Sequence, residues 1–546
     1  MAACQRALGL PKIVRIICGE ADEEWRLGPQ TTLVRLATTS KIFTEPALDV
    51  IWHDQTSLVP LIKCMPETLW EVRGVRGEKA GVVIHLCRPI ISTDLPRFLF
   101  YSARVRDLDL RHTFQYRLGI VHPDFLRALD MSMPAQSFPK LSHFAWYPKK
   151  KDVLSIMRHF LGPRIRTIDL RLDDTAMLSI LPFVKASCPL VSDFNFGASP
   201  DRISLPLVAT VSDAVCGWRH LASLTVPDLD NTAFMHVAEL ALLTDLSLTF
   251  VNDKSVNPST LLSRPTFPAL QFLTVCCKTA DYCASFVRVI SSRRLRSLMI
   301  RPMSVWTTSA WEDLHIAIHD CLDQVALRQI EVEEGNITER PADDALSAYV
   351  LSSDAVRPLL AFKQLTHITY QIRPCLDVDD EFLKAMAQAW PNLSELQFGT
   401  DTVQPAITQA PKATLACLIP FARHCPNLSA LGVCMDATRV PEFTQVHGDR
   451  ISSSLEYLYP GTSPIDALKE GVVAAFISNL FPELEDLFPI VGGTPLPEPL
   501  QSHSTSWSRV SRLIPVFSSV RTQEEEFWTE ELTDTEDGEN SEDAHD

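Results

Sequence analysis

The chain has 546 residues, 46% of them apolar, and a formal net charge of −17. That is more apolar mass than one compact domain usually holds, so several domains or a long repeat array are required. Twelve acids and no Lys or Arg lie between Gln523 and Asp546, leaving the rest of the chain at only −5; this mild balance excludes wholesale nucleic-acid binding, which needs concentrated positive charge, and no run reaches the roughly 18 apolar residues of a bilayer-crossing helix.

Residues 8–52 read as a small all-helical module. Leu10-Pro11 opens a helical stretch with Ile13, Val14, Ile16 and Ile17 apolar. After a polar connector, Thr32-Leu33, Leu36-Ala37 and Ser40-Lys41-Ile42-Phe43 form a second segment, and Glu45-Pro46-Ala47-Leu48-Asp49 leads to Ile51-Trp52. Pro46 suits the first turn of a helix, where its missing N–H would be unpaired anyway. The apolar stretch Ile13–Cys18 is short and broken by Arg15, so it is no secretory signal. The fourteen cysteines are scattered without paired spacing and read as free thiols in a reducing compartment. The expected location is cytoplasmic or nuclear.

The strings of residues 10–17, 32–43 and 45–52 resemble the F-box motif in the form found in fungal-type proteins that join an F-box to leucine-rich repeats. The departures are Lys12, where an acid usually follows Leu-Pro, and a longer connector. The resemblance implies docking onto a Skp-type adaptor of a cullin-based SCF ubiquitin ligase, through Leu10, Pro11, Ile13, Val14, Ile16, Leu33, Leu36, Phe43, Leu48 and Trp52. The alternative is a plain end cap for a repeat array, with Leu10, Ile13, Leu33, Leu36 and Trp52 buried against the repeats.

Residues 53–103 read as a connecting or N-terminal capping region, and residues 104–490 as the repeat array. There the pattern apolar, two residues, apolar, one residue, apolar recurs from Val105-Leu108-Leu110 to Leu428-Leu431-Val433, through copies such as Leu221-Leu224-Val226 and Leu295-Leu298-Ile300. Weaker copies at Leu455-Leu458 and Leu484-Leu487 meet Pro460 and Pro489. Several copies follow an aromatic or Cys and then Pro, as in Phe138-Pro139, Trp390-Pro391 and Cys425-Pro426. Proline ends a helix and forces an extended segment. Segments of helical period lie between, for example Val153–Leu161, Ala176–Ala186, Tyr282–Ile290 and Ala413–Ala422. Strand–helix repetition of this kind implies parallel strands with helices outside. It resembles the leucine-rich-repeat family, so the expected fold is an α/β solenoid behind an all-α module. Gly335–Arg357 reads as a projecting insertion, and residues 491–546 as a disordered acidic tail.

Candidate chemistry is sparse. His315 and His319 have the i, i+4 spacing of metal ligands, but Ile316 stands where a metalloprotease motif needs Glu. Neither a Gly-rich phosphate loop nor a G-x-S-x-G elbow occurs, and the cysteines lack zinc-site spacing. The reading is a non-enzyme without metal or cofactor that binds protein, with no nucleic-acid or membrane partner. Strand alternation places two polar rows away from the core. They contain Asp107, Asp109, Asp169, Asp193, Asp245, Glu331 and Glu395, interrupted by Phe272 and Met299. These residues are the candidate contacts for a substrate protein with a basic segment; the alternative is a solvated face without a particular ligand.

Overall fold

The apolar triplets become the buried rungs of parallel ladders. The computed structural model describes residues 11–23, 31–74, 82–111, 119–148, 151–172, 174–198, 203–250, 258, 266–334, 349–372, 376–399, 411–442, 454–489 and 498–538. All twelve full triplets are buried, none of their members more than 6% exposed. The chain divides into two compact units, Met1–Leu248 and Thr249–Asp546. That division falls inside the span that the sequence marks as one array, because the leucine pattern records rungs and not the density of contacts between them.

The first unit contains a run of strands β1 (Asp54–Gln55), β2 (Asp107–Asp109), β3 (His143–Trp146), β4 (Thr167–Arg171), β5 (Asp193–Gly197), β6 (Ser223–Val226) and β7 (Asp245–Phe250), in that order. Neighbours are parallel and in one register: Leu108 pairs with Phe144, Phe144 with Ile168, Ile168 with Phe194, Phe194 with Leu224 and Leu224 with Leu246. The ladder begins at Asp54, which pairs with Asp107, and not at residue 104. That first rung is two residues long and lacks the leucine pattern, which hid it. A side sheet pairs Trp70–Gly74 antiparallel with Val82–Leu86, and the latter parallel with Ile120–Val121.

The second unit contains β8 (Phe272–Cys277), β9 (Ser297–Pro302), β10 (Gln329–Glu333), β11 (His367–Gln371), β12 (Glu395–Phe398), β13 (Ala430–Gly432), β14 (Tyr457–Gly461) and β15 (Asp486–Pro489). Its register is equally regular: Leu273 pairs with Leu298, Leu298 with Ile330, Ile330 with Ile368, Ile368 with Leu396, Leu396 with Leu431 and Leu431 with Leu458. A shift between Leu458 and Gly461 marks the last pairing. Pro460 and Pro489 interrupt the pattern only there, at the end of the run, where proline is tolerated.

Helices return the chain between strands in both units, among them Leu205–Val215 and Asn231–Ala238 in the first, and Ala280–Val289 and Asp380–Ala389 in the second. The stretch around Val153–Leu161 and the first half of Ala176–Ala186 adopt tight 3-10 turns and not α-helix. Local caps fix the helix starts: Asp230 accepts from the amide of Ala233 at 2.8 Å, and Asp379 from that of Phe382 at 2.9 Å. The residues before the repeat prolines, Phe138, Cys188, Phe267, Trp390, Cys425 and Phe481, are all buried, and Cys188, Trp390, Cys425 and Phe481 close the ends of helices. Burial pushes the Cys188 and Cys425 thiols up to about 12, as expected of cysteines packed as small apolar groups.

Two further expectations are corrected or limited. The C-terminal region is not disordered throughout. A helix spans Leu500–Gly538, and its Trp507, Val510 and Ile514 are buried. Apolar residues spaced three and four apart carry that helix, a signal masked by the acids that follow. Of the expected insertion, residues 335–348 lie outside the described residues, while Leu351–Ser352 forms a short strand with Leu376–Asp377.

Candidate functional site

Three helices form the N-terminal module: α1 (Pro11–Glu23), α2 (Thr31–Thr39) and α3 (Lys41–Ile51). Ser40 caps α3 through the amide of Ile42 at 3.5 Å. Val14, Cys18, Leu33 and Ala47 form a small core of their own, with Leu36, Ala37, Phe43, Val50 and Ile51 packed against it. Ile13 and Leu48 are half-buried. Leu10 lies outside the described residues, as does the side chain of Pro11. Leu33 is buried within this small core. Ile16, Val34 and Ile42 are left exposed on the module's surface, by 62%, 48% and 53%.

The module is anchored through α3. Arg104, buried next to the first long rung, binds Asp49 at 2.5 Å and Glu45 at 2.6 Å, and lies 4.6 Å from the ring centre of Phe100. Trp52 stacks on Tyr101 with centroids 4.5 Å apart. A buried guanidinium of this kind requires carboxylate partners, and α3 supplies both.

The first unit sets Asp107, Asp109, Asp169, Asp193 and Asp245 on the same face of its ladder. Register pairs Asp107 with His143, Asp109 with Ala145 and Ala145 with Asp169. These acids are not uniformly open. Arg111 forks onto Asp109, with Nη2 at 2.7 Å and Nε at 3.0 Å, and sends Nη1 to Asp169 at 2.7 Å. Tyr147 donates a further hydrogen bond to Asp169 at 3.1 Å, and that carboxylate is only 4% exposed. Asp169 thus belongs to an internal ion-pair cluster, and Asp109 shares its cation. Burial holds the Asp107 carboxyl above its ordinary value, aided by the charges of Asp54 and Asp109 and opposed by His143. Asp193 and Asp245 are half-buried and accept from the neighbouring Ser192 and Thr244 hydroxyls.

The second unit places Phe272, Met299, Glu331 and Glu395 on its ladder face. Phe272 is 45% exposed, while Met299, Glu331 and Glu395 are half-buried. Burial, with Glu333 and Glu395 nearby, raises the Glu331 carboxyl. Gln397 donates to Glu395 at 3.0 Å, and Arg301 pairs with Glu333 at 3.0 Å. Sequence reasoning missed a further part of this face. Tyr457 and Tyr459 on β14 and Phe488 on β15 form a stack, with Phe488 5.3 Å from Tyr459 and 6.1 Å from Tyr457. They occupy the alternate positions of the two weak copies that end in Pro460 and Pro489. Extending the row count past those prolines would have found them.

The two spaced histidines do different things. His315 is fully buried and hydrogen-bonded at both ring nitrogens within the protein, to Ala355 and Tyr370. His319 pairs with Asp320 on the surface at 2.9 Å. Among the described residues no group of His, Cys, Asp and Glu is arranged to hold a metal, and no helix is long and apolar enough to cross a membrane.

No protein-family model matches this sequence, and no curated protein matches it. Among solved structures, the crystal structure of the leucine-rich repeat-containing protein LegL7 from Legionella pneumophila is similar to this chain. The match covers 68% of this chain and 96% of that one, at 10% identity and a TM-score of 0.30.

Proposed function

We propose that this chain is a leucine-rich-repeat interaction scaffold, which works by holding another protein on its ladder faces and not by chemistry of its own. The observation that carries the reading is the regular register within each run of strands, kept in the second up to the shift after Leu458. It sets the polar side chains of successive strands side by side, about 4.8 Å apart, while the apolar triplets are spent on the core. Repeats of this form build extended recognition surfaces. Affinity capture with the full chain tests it. Asp193→Lys and Asp245→Lys alter half-buried face residues outside the Arg111 cluster, and are expected to remove a defined set of bound proteins. Leu242→Lys, an exposed position off the strands, should leave that set intact. Equal capture by all three variants would count against the scaffold.

The finer reading assigns α1–α3 to a Skp-type adaptor and the whole chain to substrate selection in a cullin-type ubiquitin ligase. Its support is the resemblance of residues 10–52 to the F-box and the apolar Ile16, Val34 and Ile42, which the module's own core leaves exposed. Exposed apolar side chains on a module this small favour association. Co-expression with a Skp-type adaptor should give a complex that Ile16→Asp with Ile42→Asp abolishes, the repeats remaining folded by circular dichroism. If no complex forms with the unaltered chain, the scaffold stands without ubiquitin machinery.

A further inference from the structure

We infer that the aromatic stack at the C-terminal end of the second unit's ladder is a receptor for an arginine side chain in an extended segment of a partner protein. The inference rests on the reading of the ladder faces as protein-binding, and it names the chemistry of what this part of the face would hold.

Leu458 and Leu487 pair as buried rungs of β14 and β15, so Tyr457, Tyr459 and Phe488 at the alternate positions are directed to the opposite side of the sheet. Phe488 lies nearly parallel to both tyrosine rings, at 21° to Tyr459 and 27° to Tyr457. It remains 44% exposed, and the tyrosines are half-buried. On the preceding strand the register partners of Tyr457 and Tyr459 are Ala430 and Gly432, which carry almost no side chain. Ala430 and Gly432 are themselves buried, so the ring that the stack offers to a planar group is that of Phe488.

The charges around the stack select the occupant. Asp486 is the register partner of Tyr457, and Glu456 and Glu485 immediately precede the two strands. Their carboxylates act on the rings directly: the charges of Glu485, Glu456 and Asp486 raise the Tyr457 hydroxyl above its ordinary value. An aromatic face attracts cations through its quadrupole, and neighbouring carboxylates add to that attraction. The carboxylates disfavour a nucleic-acid strand, whose bases would stack but whose phosphates would be repelled. Between the two cationic side chains, arginine fits better. Its guanidinium is flat, stacks on rings, and can still direct its N–H donors at carboxylates in its own plane.

The test measures fluorescence anisotropy with the full chain and a short fluorescein-labelled Gly/Ser peptide carrying several arginines. Matched peptides carry lysine or glutamine at the same positions. The arginine peptide should bind most tightly, the lysine peptide more weakly and the glutamine peptide not measurably. Phe488→Ala should weaken arginine-peptide binding roughly fivefold or more. The double change Glu485→Gln with Asp486→Asn leaves the ring packing in place and should weaken binding while flattening its salt dependence. Phe183→Ala, an exposed aromatic on the helix Leu181–Ser187 and off the ladder face, should change nothing. Equal binding of the arginine and glutamine peptides overturns the inference. So does unchanged affinity in both the Phe488 and the carboxylate variants, or an equal loss in Phe183→Ala. If the peptides fail while protein capture still depends on Asp193 and Asp245, only this arginine site falls and the scaffold remains.

Discussion

His315 sits where a charge has no place. It is fully buried on the helix Thr308–Cys321, and the carbonyl of Ala355, 2.7 Å away, can only accept. Nδ1 must therefore carry the proton, and Nε2 is left to accept from the Tyr370 hydroxyl at 2.8 Å. Protonating Nε2 would force the Tyr370 hydroxyl to turn and accept, and would place a cation among Trp311 and Tyr370. Burial accordingly lowers the His315 pKa from 6.5 to about 4, with the Ala355 bond opposing the shift. Because the unfolded chain binds the proton more readily, the contribution is complete above about pH 6.5 and is lost as pH falls toward about 4. Its size is on the order of 3 kcal/mol at 1.36 kcal/mol per unit. Urea unfolding of the second unit is expected to weaken over that window, and His315→Gln should flatten the acid limb while lowering stability at neutral pH. An unchanged acid limb in the variant would remove His315 as its source. The i, i+4 spacing to His319 was visible in the sequence, but the carbonyl and the tyrosine that occupy His315 come from elements 40 and 55 residues away and were not. Arg111 shows the same limit: alternation placed Asp109 and Asp169 on one face, while the arginine that binds both was visible only as a neighbour of Asp109.

At the scale of single elements, the helix Leu500–Gly538 shows how composition can conceal structure. Trp507 is fully buried and donates from its indole to the carbonyl of Ser463 at 2.8 Å, while Arg509 pairs with Glu470 at 3.1 Å. Val510 and Ile514 complete the buried stripe, and Arg521 reaches the carbonyl and hydroxyl of Ser478. The helix thus lies along Glu470–Leu480 and also touches β15, covering the end of the ladder as a terminal cap must. Removing a buried Trp typically costs about 3–5 kcal/mol. Trp507→Ala should therefore expose the final rungs, seen as faster amide exchange in β14 and β15 than in β8 and β9. Uniform exchange in the variant would mean that the helix is not a cap. The strands were legible for a different reason. Each carries three inward apolar residues at fixed spacing, a signal that survives the loss of any one residue. A helix with three inward residues ahead of a dozen acids gives a weak periodic signal in a strongly polar context. The very short first rung, Asp54–Gln55, gives none.

At the scale of the whole molecule, stability in each unit should be a nearest-neighbour property. A rung touches the strand before it and the strand after it, and distant rungs share no core. Leu298 is fully buried, paired with Leu273 on one side and Ile330 on the other. Leu298→Ala removes a packed side chain at a cost of about 3 kcal/mol, including the cavity left between β8 and β10. The penalty should be read most strongly by the strands that line the cavity. Hydrogen exchange is expected to quicken in β8, β9 and β10, less in β11 and β12, and least in β14 and β15, which Trp507 and its helix hold from the other end. If all eight strands lose protection equally, the unit unfolds as one cooperative block, and a ligand on one rung would stabilise every other. If protection decays with distance, a partner seated on Tyr457, Tyr459 and Phe488 would protect the last rungs and leave β8 and Phe272 unaffected. The exchange map would then report where on the ladder a partner sits, because a local array can transmit binding energy only to the rungs next to it.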